Sequence, residues 1–249
     1  MMSHYGKMHG NNIPIQAPLI PDPFVPYECK GYRSVFALCR AEESVIRKYL
    51  EPTPFEYVDN KLIVSVSDFS NCNKVSFMDC AIVIPVKYKD RYGGYYLFEY
   101  ENDDSAIAAG RDLWGYPKKY ADISLREENG KVRGQAIRKG KVIVDIECDL
   151  HTTIQDLFQP QTYPHLNLHV VPKPDGRGIA SMKVISRDTS PDFHLISEKL
   201  GKTTVRLQGL PTDPLDELQP VEVLGGGLII GDFYATEENG WGHVIETLI

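Results

Sequence analysis

Two pairs of turn residues inside a run of alternating apolar positions constrain the fold of this chain most strongly. Asn129-Gly130 and Lys139-Gly140 separate the apolar stretches 123–126, 132–137 and 142–148. Such dipeptides between alternating segments are typical of tight β-hairpins. The sequence therefore predicts a three-stranded antiparallel meander. Further short apolar runs between turn signals extend this β-rich pattern, at residues 62–66, 81–88, 94–100 and 166–171.

Helices are expected only at the periphery. Residues 41–50 have acidic side chains in the first turn and basic ones in the last, which matches the helix dipole. A second helical stretch is expected over residues 190–200, and a short helical turn over residues 213–218. The predicted fold class is α+β, mainly antiparallel β, with a barrel or double sheet and peripheral helices.

Length and charge limit the domain organisation and the partners. The 249 residues fit one domain, which we expect over residues 21–249, preceded by an N-terminal arm at residues 1–20. The net charge of −7 without a basic run argues against nucleic acid and against acidic membrane surfaces. The five cysteines lack paired spacing and no signal segment is evident, so a cytoplasmic location is expected.

Chemistry is suggested by the stretch GRDLWGYPKKY at residues 110–120, in which Lys118 and Lys119 follow a Gly-Tyr-Pro corner. A solvated lysine has a pKa of about 10.4, so few molecules carry a neutral amine at pH 7. Burial or a second cation nearby lowers that pKa and makes the amine nucleophilic. Most Lys-Lys pairs are nevertheless solvated surface residues. The pair by itself leaves both interpretations open.

The same stretch closely resembles the signature of the acetoacetate decarboxylase family, and weaker resemblances extend from about residue 26 to residue 234. The resemblance implies that Lys118 forms a Schiff base with a substrate ketone and that Lys119 helps to keep Lys118 neutral. It further implies the family fold, a keto acid substrate, no external cofactor and assembly into a homo-oligomer. Decarboxylation of a β-keto acid is the implied reaction.

Carrying the family's other active-site residues over without gaps gives an incomplete match. A family arginine falls on Tyr32, with Arg33 one place away, and two family glutamates fall on Val64 and Asp79. We expect Asp79 to be catalytic and Arg33 to bind substrate, provided that a bulge turns Arg33 toward the site.

Two residues within the motif are further candidates for substrate binding. Tyr116 adjoins the lysine pair, and Arg111 can bind a carboxylate through two hydrogen bonds or can anchor the turn.

Alternatives from other classes stay open. The acid missing at Val64 allows the same imine to serve an aldol, dehydration or cyclisation reaction. A non-catalytic barrel that binds an apolar keto or acyl ligand needs the aromatic strand at residues 95–100 but not Lys118. His165 and His169 share one face of a predicted strand, yet they lack a third ligand at an informative spacing, so no metal site is predicted.

Overall fold

A computed structural model describes residues 12–154 and 157–249 of the protein. In chain order its helices and strands are β1 Tyr27–Arg40, α1 Glu43–Leu50, β2 Glu56–Tyr57, β3 Lys61–Phe69, β4 Phe77–Tyr88, β5 Arg91–Glu101, α2 Asp104–Trp114, β6 Lys118–Tyr120, β7 Asp122–Glu128, β8 Lys131–Arg138, β9 Lys141–Asp149, β10 His165–Pro172, β11 Ile179–Arg187, β12 His194–Leu207, β13 Glu222–Ala235 and β14 His243–Thr247. Short 3₁₀ turns cover Ser190–Asp192 and Leu215–Leu218.

The strands form one long, mostly antiparallel sheet. Its order is β14-β11-β10-β5-β4-β3-β1-β13-β12-β9-β8-β7, with β2 beside β4 and β6 beside β5. The sheet does not close into a barrel. Instead the β7–β9 meander lies over β1 and β3, where Gly134 packs against Val35 and Val66. The predicted fold class is confirmed, with the double-sheet form rather than the closed barrel.

The predicted hairpin turns are present at both positions. Asn129 and Gly130 have φ values of 49° and 70°, and Lys139 and Gly140 have φ values of 50° and 76°. Two successive residues with positive φ make the type I′ geometry that matches the twist of paired strands. The meander is therefore specified locally.

The first predicted helix is confirmed, and the second is wrong. In α1, Ile46 and Leu50 are buried against the sheet, while Val45 and Tyr49 pack at its margin. Residues 190–200 instead form one 3₁₀ turn at Pro191 followed by the start of β12. This part of β12 pairs with β13, and the later part pairs with β9. Strand pairing across the sheet outweighs the local helical pattern.

The N-terminal region packs against the domain from Ile20 onward. Residues 1–11 of the predicted arm lie outside the described residues, whereas Ile20 is buried in one cluster with Phe24 and Val25.

Cys29 and Cys72 are paired as a disulfide, and the other three cysteines are buried thiols. A disulfide is not what a reducing cytoplasm favours. Within the described ranges no helix is long and apolar enough to cross a bilayer.

Candidate active site

The lysine motif opens into a cavity of about 330 Å³ on one face of the sheet. Its walls are largely aromatic, with contributions from Tyr27, Tyr32, Phe77, Tyr96, Trp114 and Tyr116. Its charged side chains are Asp79, Glu99, Glu101, Lys118 and Arg187. A small concave pocket with apolar walls and few charged groups is the usual form of a binding site for a small molecule.

Strand alternation brings Lys118 together with the acidic side chains. In the parallel pairing of β5 and β6, Glu99 lies opposite Lys118 and Tyr100 lies opposite Lys119. Successive side chains of a strand point to opposite faces. Glu99, Glu101 and Lys118 therefore face the cavity, whereas Tyr100 and Lys119 face away from it. On the neighbouring strand β4, Asp79 pairs with Glu101 and also lines the cavity.

Helix α2 sets the direction from which Lys118 enters. The Asp103 carboxylate accepts a 3.0 Å hydrogen bond from the Ala106 amide and caps the start of the helix. Gly115 ends the helix in the left-handed conformation, with φ 72°. Pro117 then leads directly into β6, so Lys118 extends from a rigid corner.

Lys118 is buried and held by carboxyl groups. Its ammonium contacts Glu101 directly and lies 3.5 Å from Glu99. Burial by itself lowers the pKa of Lys118, but the negative charges of Glu101, Glu99 and Asp79 outweigh it and raise the pKa above the ordinary value. The direction of this shift favours the ammonium form of Lys118 in the resting protein and does not support the expectation of a lowered pKa.

The pKa values of the three acids beside Lys118 are also raised. Burial raises the pKa of Asp79 to about 6 and that of Glu101 to about 7, with Lys118 opposing both shifts. Burial also raises the pKa of Glu99 well above its usual range. One oxygen of Glu99 and one of Glu101 are buried without a hydrogen-bond partner in the described structure. The cavity thus holds protons at neutral pH beside free carboxyl oxygens.

Lys119 takes no part in this cluster. Its ammonium donates to Asp213, at 2.9 Å, and to the Thr212 carbonyl, at 2.7 Å. Buried Asp213 also accepts from Tyr100 and Arg138. Placing Lys119 on the opposite face of β6 separates it from Lys118. The structure does not support the predicted role of Lys119 in keeping Lys118 neutral.

Comparison with known proteins agrees with this fold. The family model described as acetoacetate decarboxylase matches residues 12–241. The chain belongs to the acetoacetate decarboxylase family. It is 25% identical over 231 residues to an acetoacetate decarboxylase of Burkholderia vietnamiensis, covering 88% of this chain and 89% of that protein. Over a shorter stretch of 61 residues, 24% of this chain and 23% of that protein, it is 48% identical to acetoacetate decarboxylase 3 of Mesorhizobium japonicum.

Solved structures show the same family fold. A structure from structural studies of acetoacetate decarboxylase has a TM-score of 0.83 at 19% identity, covering 96% of each chain. An acetoacetate decarboxylase-like enzyme from Sphingomonas wittichii RW1 also gives 0.83, at 17% identity, covering 96% of this chain and 100% of that one. The enduracididine biosynthesis enzyme MppR complexed with pyruvate gives 0.75, at 14% identity, covering 96% of this chain and 98% of that one.

Membership of this family indicates that the protein is an enzyme of the decarboxylase-like lyase type.

The structure gives a position for each of the predicted site residues. Asp79 and Tyr116 line the cavity together with Lys118. Arg111 instead donates to the backbone carbonyl of Lys118, at 3.2 Å, and does not line the cavity. Its position fits the anchoring alternative rather than the binding of a substrate carboxylate.

Arg33 and Val64 lie on the wrong face for this site. Of the two register irregularities in β1, the one near Arg33 falls between Cys29 and Tyr32, before Arg33, and it leaves Tyr32 facing the cavity. Arg33 points to the other face and pairs with Glu127. The predicted substrate-binding role of Arg33 is not supported. Val64 is buried in the hydrophobic core, so a residue at this position takes no place in the cavity.

Glu99, Glu101 and Arg187 were not predicted as site residues, and His165 was considered only as a metal ligand. The two glutamates stand two residues apart in an aromatic strand that precedes the lysine motif, and this alternation was a usable signal for a shared face. His165 and Arg187 lie opposite each other on β10 and β11. No local pattern distinguishes them, because their proximity depends on strand pairing.

Two groups of side chains were considered as metal ligands: the carboxyls of Asp79, Glu99 and Glu101, and the imidazoles of His165 and His169. The carboxyls of Asp79, Glu99 and Glu101 come within 4.8 Å of one another, but the Lys118 ammonium already supplies the cation. His165 bonds to the Tyr116 hydroxyl, and His169 bonds to the Asp112 carbonyl. The two histidines therefore have separate partners.

Proposed function

We propose that this protein is a Schiff-base-forming lyase that decarboxylates a β-keto acid through an imine on Lys118. The observation that carries the proposal is the buried primary amine of Lys118 in contact with carboxyl groups inside a pocket with aromatic walls. Membership of the acetoacetate decarboxylase family supports the same chemistry. No external cofactor is needed, because the iminium ion itself accepts electrons.

The first step is transfer of a proton from Lys118 to Glu101. These two groups are in contact, so the proton moves without rearrangement. Substrate entry removes water from the buried site. The loss of water disfavours the ammonium of Lys118 and the carboxylate of Glu101 relative to a neutral amine and a neutral acid. The amine attacks the ketone carbon, and a protonated carboxyl donates to the departing oxygen. Water leaves and an iminium ion remains.

Carbon–carbon cleavage follows from the position of the iminium. The bond between the carboxylate carbon and the α-carbon breaks, its electron pair moves toward the iminium nitrogen, and carbon dioxide and an enamine form. Asp79, whose pKa of about 6 leaves it mainly ionised at neutral pH, places negative charge near the reacting carboxylate, and this repulsion is relieved when neutral carbon dioxide leaves. The enamine carbon takes a proton from a carboxyl, and water hydrolyses the new iminium to release the ketone and Lys118.

A second candidate is an imine-dependent aldol, dehydration or cyclisation reaction of a keto acid. The acids beside Lys118 favour it, since a carboxylate with a pKa of about 6 or 7 can remove a proton next to an iminium as well as deliver one. The structural similarity to MppR complexed with pyruvate is compatible with such a branch. Both candidates share Lys118 and differ in which bond breaks.

Borohydride trapping separates the candidates. The protein is incubated with acetoacetate or with pyruvate, reduced, digested and mapped by mass spectrometry while carbon dioxide is measured. Acetoacetate is expected to leave an isopropyl group on Lys118, which is the reduced imine of acetone, together with carbon dioxide. A pyruvate adduct that retains its carboxylate, without an acetoacetate reaction, would favour the second candidate.

Lys118→Met is the test variant and Lys119→Met is its matched control on the same strand. Loss of adduct and turnover in the first, with both retained in the second, is the expected result. Ligand binding without any adduct in the wild-type protein would support the non-catalytic barrel instead. The homo-oligomeric state, the cytoplasmic location, the domain boundaries and the exclusion of nucleic-acid and membrane partners stay predictions.

A further inference from the structure

The guanidinium of Arg187 is a buried cation in the wall of the cavity. Arg187 is 6% exposed, and its Cζ lies 3.9 Å from the centre of the Trp114 ring. Its Nε donates to the Gly240 carbonyl at 2.7 Å, and its Nη2 donates to the Tyr27 hydroxyl at 3.1 Å. The Tyr116 hydroxyl lies beside the same guanidinium.

These partners are all neutral. Among the ion pairs of residues 12–154 and 157–249, none includes Arg187. A buried charge without a counter-ion is unfavourable, and buried cations in proteins are normally paired with an anion. Because Arg187 lines the cavity, an anion bound in the cavity can reach its guanidinium.

The neighbouring groups do not provide that anion. Burial, with Arg187 and Lys118 nearby, lowers the pKa of His165 to about 3, so the imidazole facing this region is neutral. Burial raises the pKa of Tyr116 to about 12, so its hydroxyl also stays uncharged. An anion at Arg187 must therefore come from a bound molecule. The planar guanidinium favours a carboxylate, which it matches in geometry.

The two cations of the cavity are separated by Tyr116. Lys118 Nζ lies 5.4 Å from the centre of the Tyr116 ring, whereas Arg187 lies beside the hydroxyl of that ring. A molecule whose ketone carbon reaches Lys118 and whose carboxylate reaches Arg187 thus carries that carboxylate away from the reacting carbon.

We propose that Arg187 binds a second carboxylate of the substrate, which makes the substrate a β-keto dicarboxylic acid. The inference rests on the function proposed above and specifies its substrate class. A carboxylate paired with Arg187 is stabilised in its ionised form, and decarboxylation would remove that stabilisation before the transition state. The carboxylate at Arg187 is therefore the one that is retained. Only the carboxylate β to the ketone leaves as carbon dioxide.

Two substrates of equal length test this assignment. 3-Oxoadipate carries the second carboxylate, and 3-oxohexanoate ends in a methyl group instead. For the wild-type protein we expect kcat/KM for 3-oxoadipate to exceed that for 3-oxohexanoate by roughly 10- to 100-fold, the range for hydrogen bonds to a charged group. Arg187→Met should lose that advantage, so that the ratio of the two kcat/KM values falls to about 1. Arg187→Lys should recover part of the advantage.

Equal use of both substrates by the wild-type protein would overturn the proposal. So would an equal loss of both activities in Arg187→Met, because that loss would indicate a structural role. Equilibrium binding to Lys118→Met, measured by calorimetry, separates this inference from the proposed reaction. Tighter binding of 3-oxoadipate than of 3-oxohexanoate supports the Arg187 site even if decarboxylation fails, and equal binding refutes it. This measurement also applies if Arg187→Met does not fold.

Discussion

Gly110 lies directly against the side chain of Lys118. A Cβ at position 110 would overlap the Cδ and Cε of Lys118. Gly110 is an interior residue of α2, where glycine ordinarily destabilises a helix by about 1 kcal/mol relative to alanine. The helix thus carries an unfavourable residue at the one turn that faces the lysine. The structure explains this glycine, because a larger residue at position 110 would occupy the space of the Lys118 side chain.

Gly110→Ala is expected to separate stability from activity. The alanine improves helix propensity but displaces Lys118 from Glu101, so imine trapping should fall by at least about 10-fold, as even small displacements of a reacting group are costly. Thermal unfolding and borohydride trapping together measure both effects. Ser105→Ala, in the same helix and outside the cavity lining, is the control. Normal trapping by Gly110→Ala would contradict this account.

Lys119→Met is expected to affect stability more than chemistry. The variant removes one of the cations that pair with buried Asp213, and breaking a buried pair costs about 3 kcal/mol or more. Because Arg138 still pairs with Asp213, we expect a loss smaller than that of a completely unpaired charge. Denaturant unfolding measures the loss, and the pH profile of imine trapping should match that of the wild-type protein. A shifted profile would instead indicate that Lys119 controls Lys118.

Lys118→Met should make stability more sensitive to pH. Asp79 and Glu101 have pKa values of about 6 and about 7 in the folded protein, above the values of about 4 expected when unfolded. Between these limits the folded state binds more protons, so stability falls as the pH rises. Lys118 opposes the raised pKa values, and without it they rise further. The variant should therefore lose more stability than the wild-type protein between pH 5 and pH 8.

Thermal unfolding at several pH values tests this expectation, with Lys119→Met as the control. Burial raises the pKa of Asp213 on its own, but the ammonium of Lys119 and its other hydrogen-bond donors outweigh burial and hold that pKa below its usual range. In Lys119→Met the hydrogen bonds from Thr212, Arg138 and Tyr100 remain and still lower that pKa. We therefore expect Asp213 to stay ionised from pH 5 to pH 8 and the control to follow the wild-type slope. Equal slopes for Lys118→Met and the wild-type protein would show that Lys118 does not influence the acids.

Tyr32 and Arg33 should differ sharply in their effect on substrate binding. Tyr32 lines the cavity and its hydroxyl lies 3.1 Å from Ser67 Oγ, whereas Arg33 pairs with Glu127 on the other face. Tyr32→Ala should raise KM by roughly 10-fold through loss of buried aromatic contact. Arg33→Ala should change KM by less than about 2-fold, since its side chain does not line the cavity. Steady-state kinetics decides, and a large effect of Arg33→Ala would contradict this placement.

Local elements could be predicted where neighbouring residues decide the conformation. The Asn129-Gly130 and Lys139-Gly140 turns require positive φ, and helix α1 has matching charges at its two ends. The start of β12 could not be predicted in this way. Its pairing with β13 joins residues far apart in the chain, and the helical pattern over residues 190–200 contains no information about that partner.

The candidate site shows the same division. Motif resemblance identified Lys118, and the alternation of Glu99 and Glu101 was already present in the sequence. By contrast, the placement of Arg33 depended on where the irregularity of β1 falls, and that position is set by pairing with β13. A one-residue difference reverses the face of a strand residue, so the nearby arginine was assigned to the wrong side.

The β-rich class, the hairpin meander and the lysine motif can be recognised from the sequence, because each depends on residues adjacent in the chain. The fold places Lys118 among three acids, pairs Lys119 with Asp213 and brings Arg187 into the wall of the cavity. These placements cannot be recognised from the sequence, because burial and charge pairing depend on distances between strands. These distances arise from the register of the whole sheet, and no single segment encodes them.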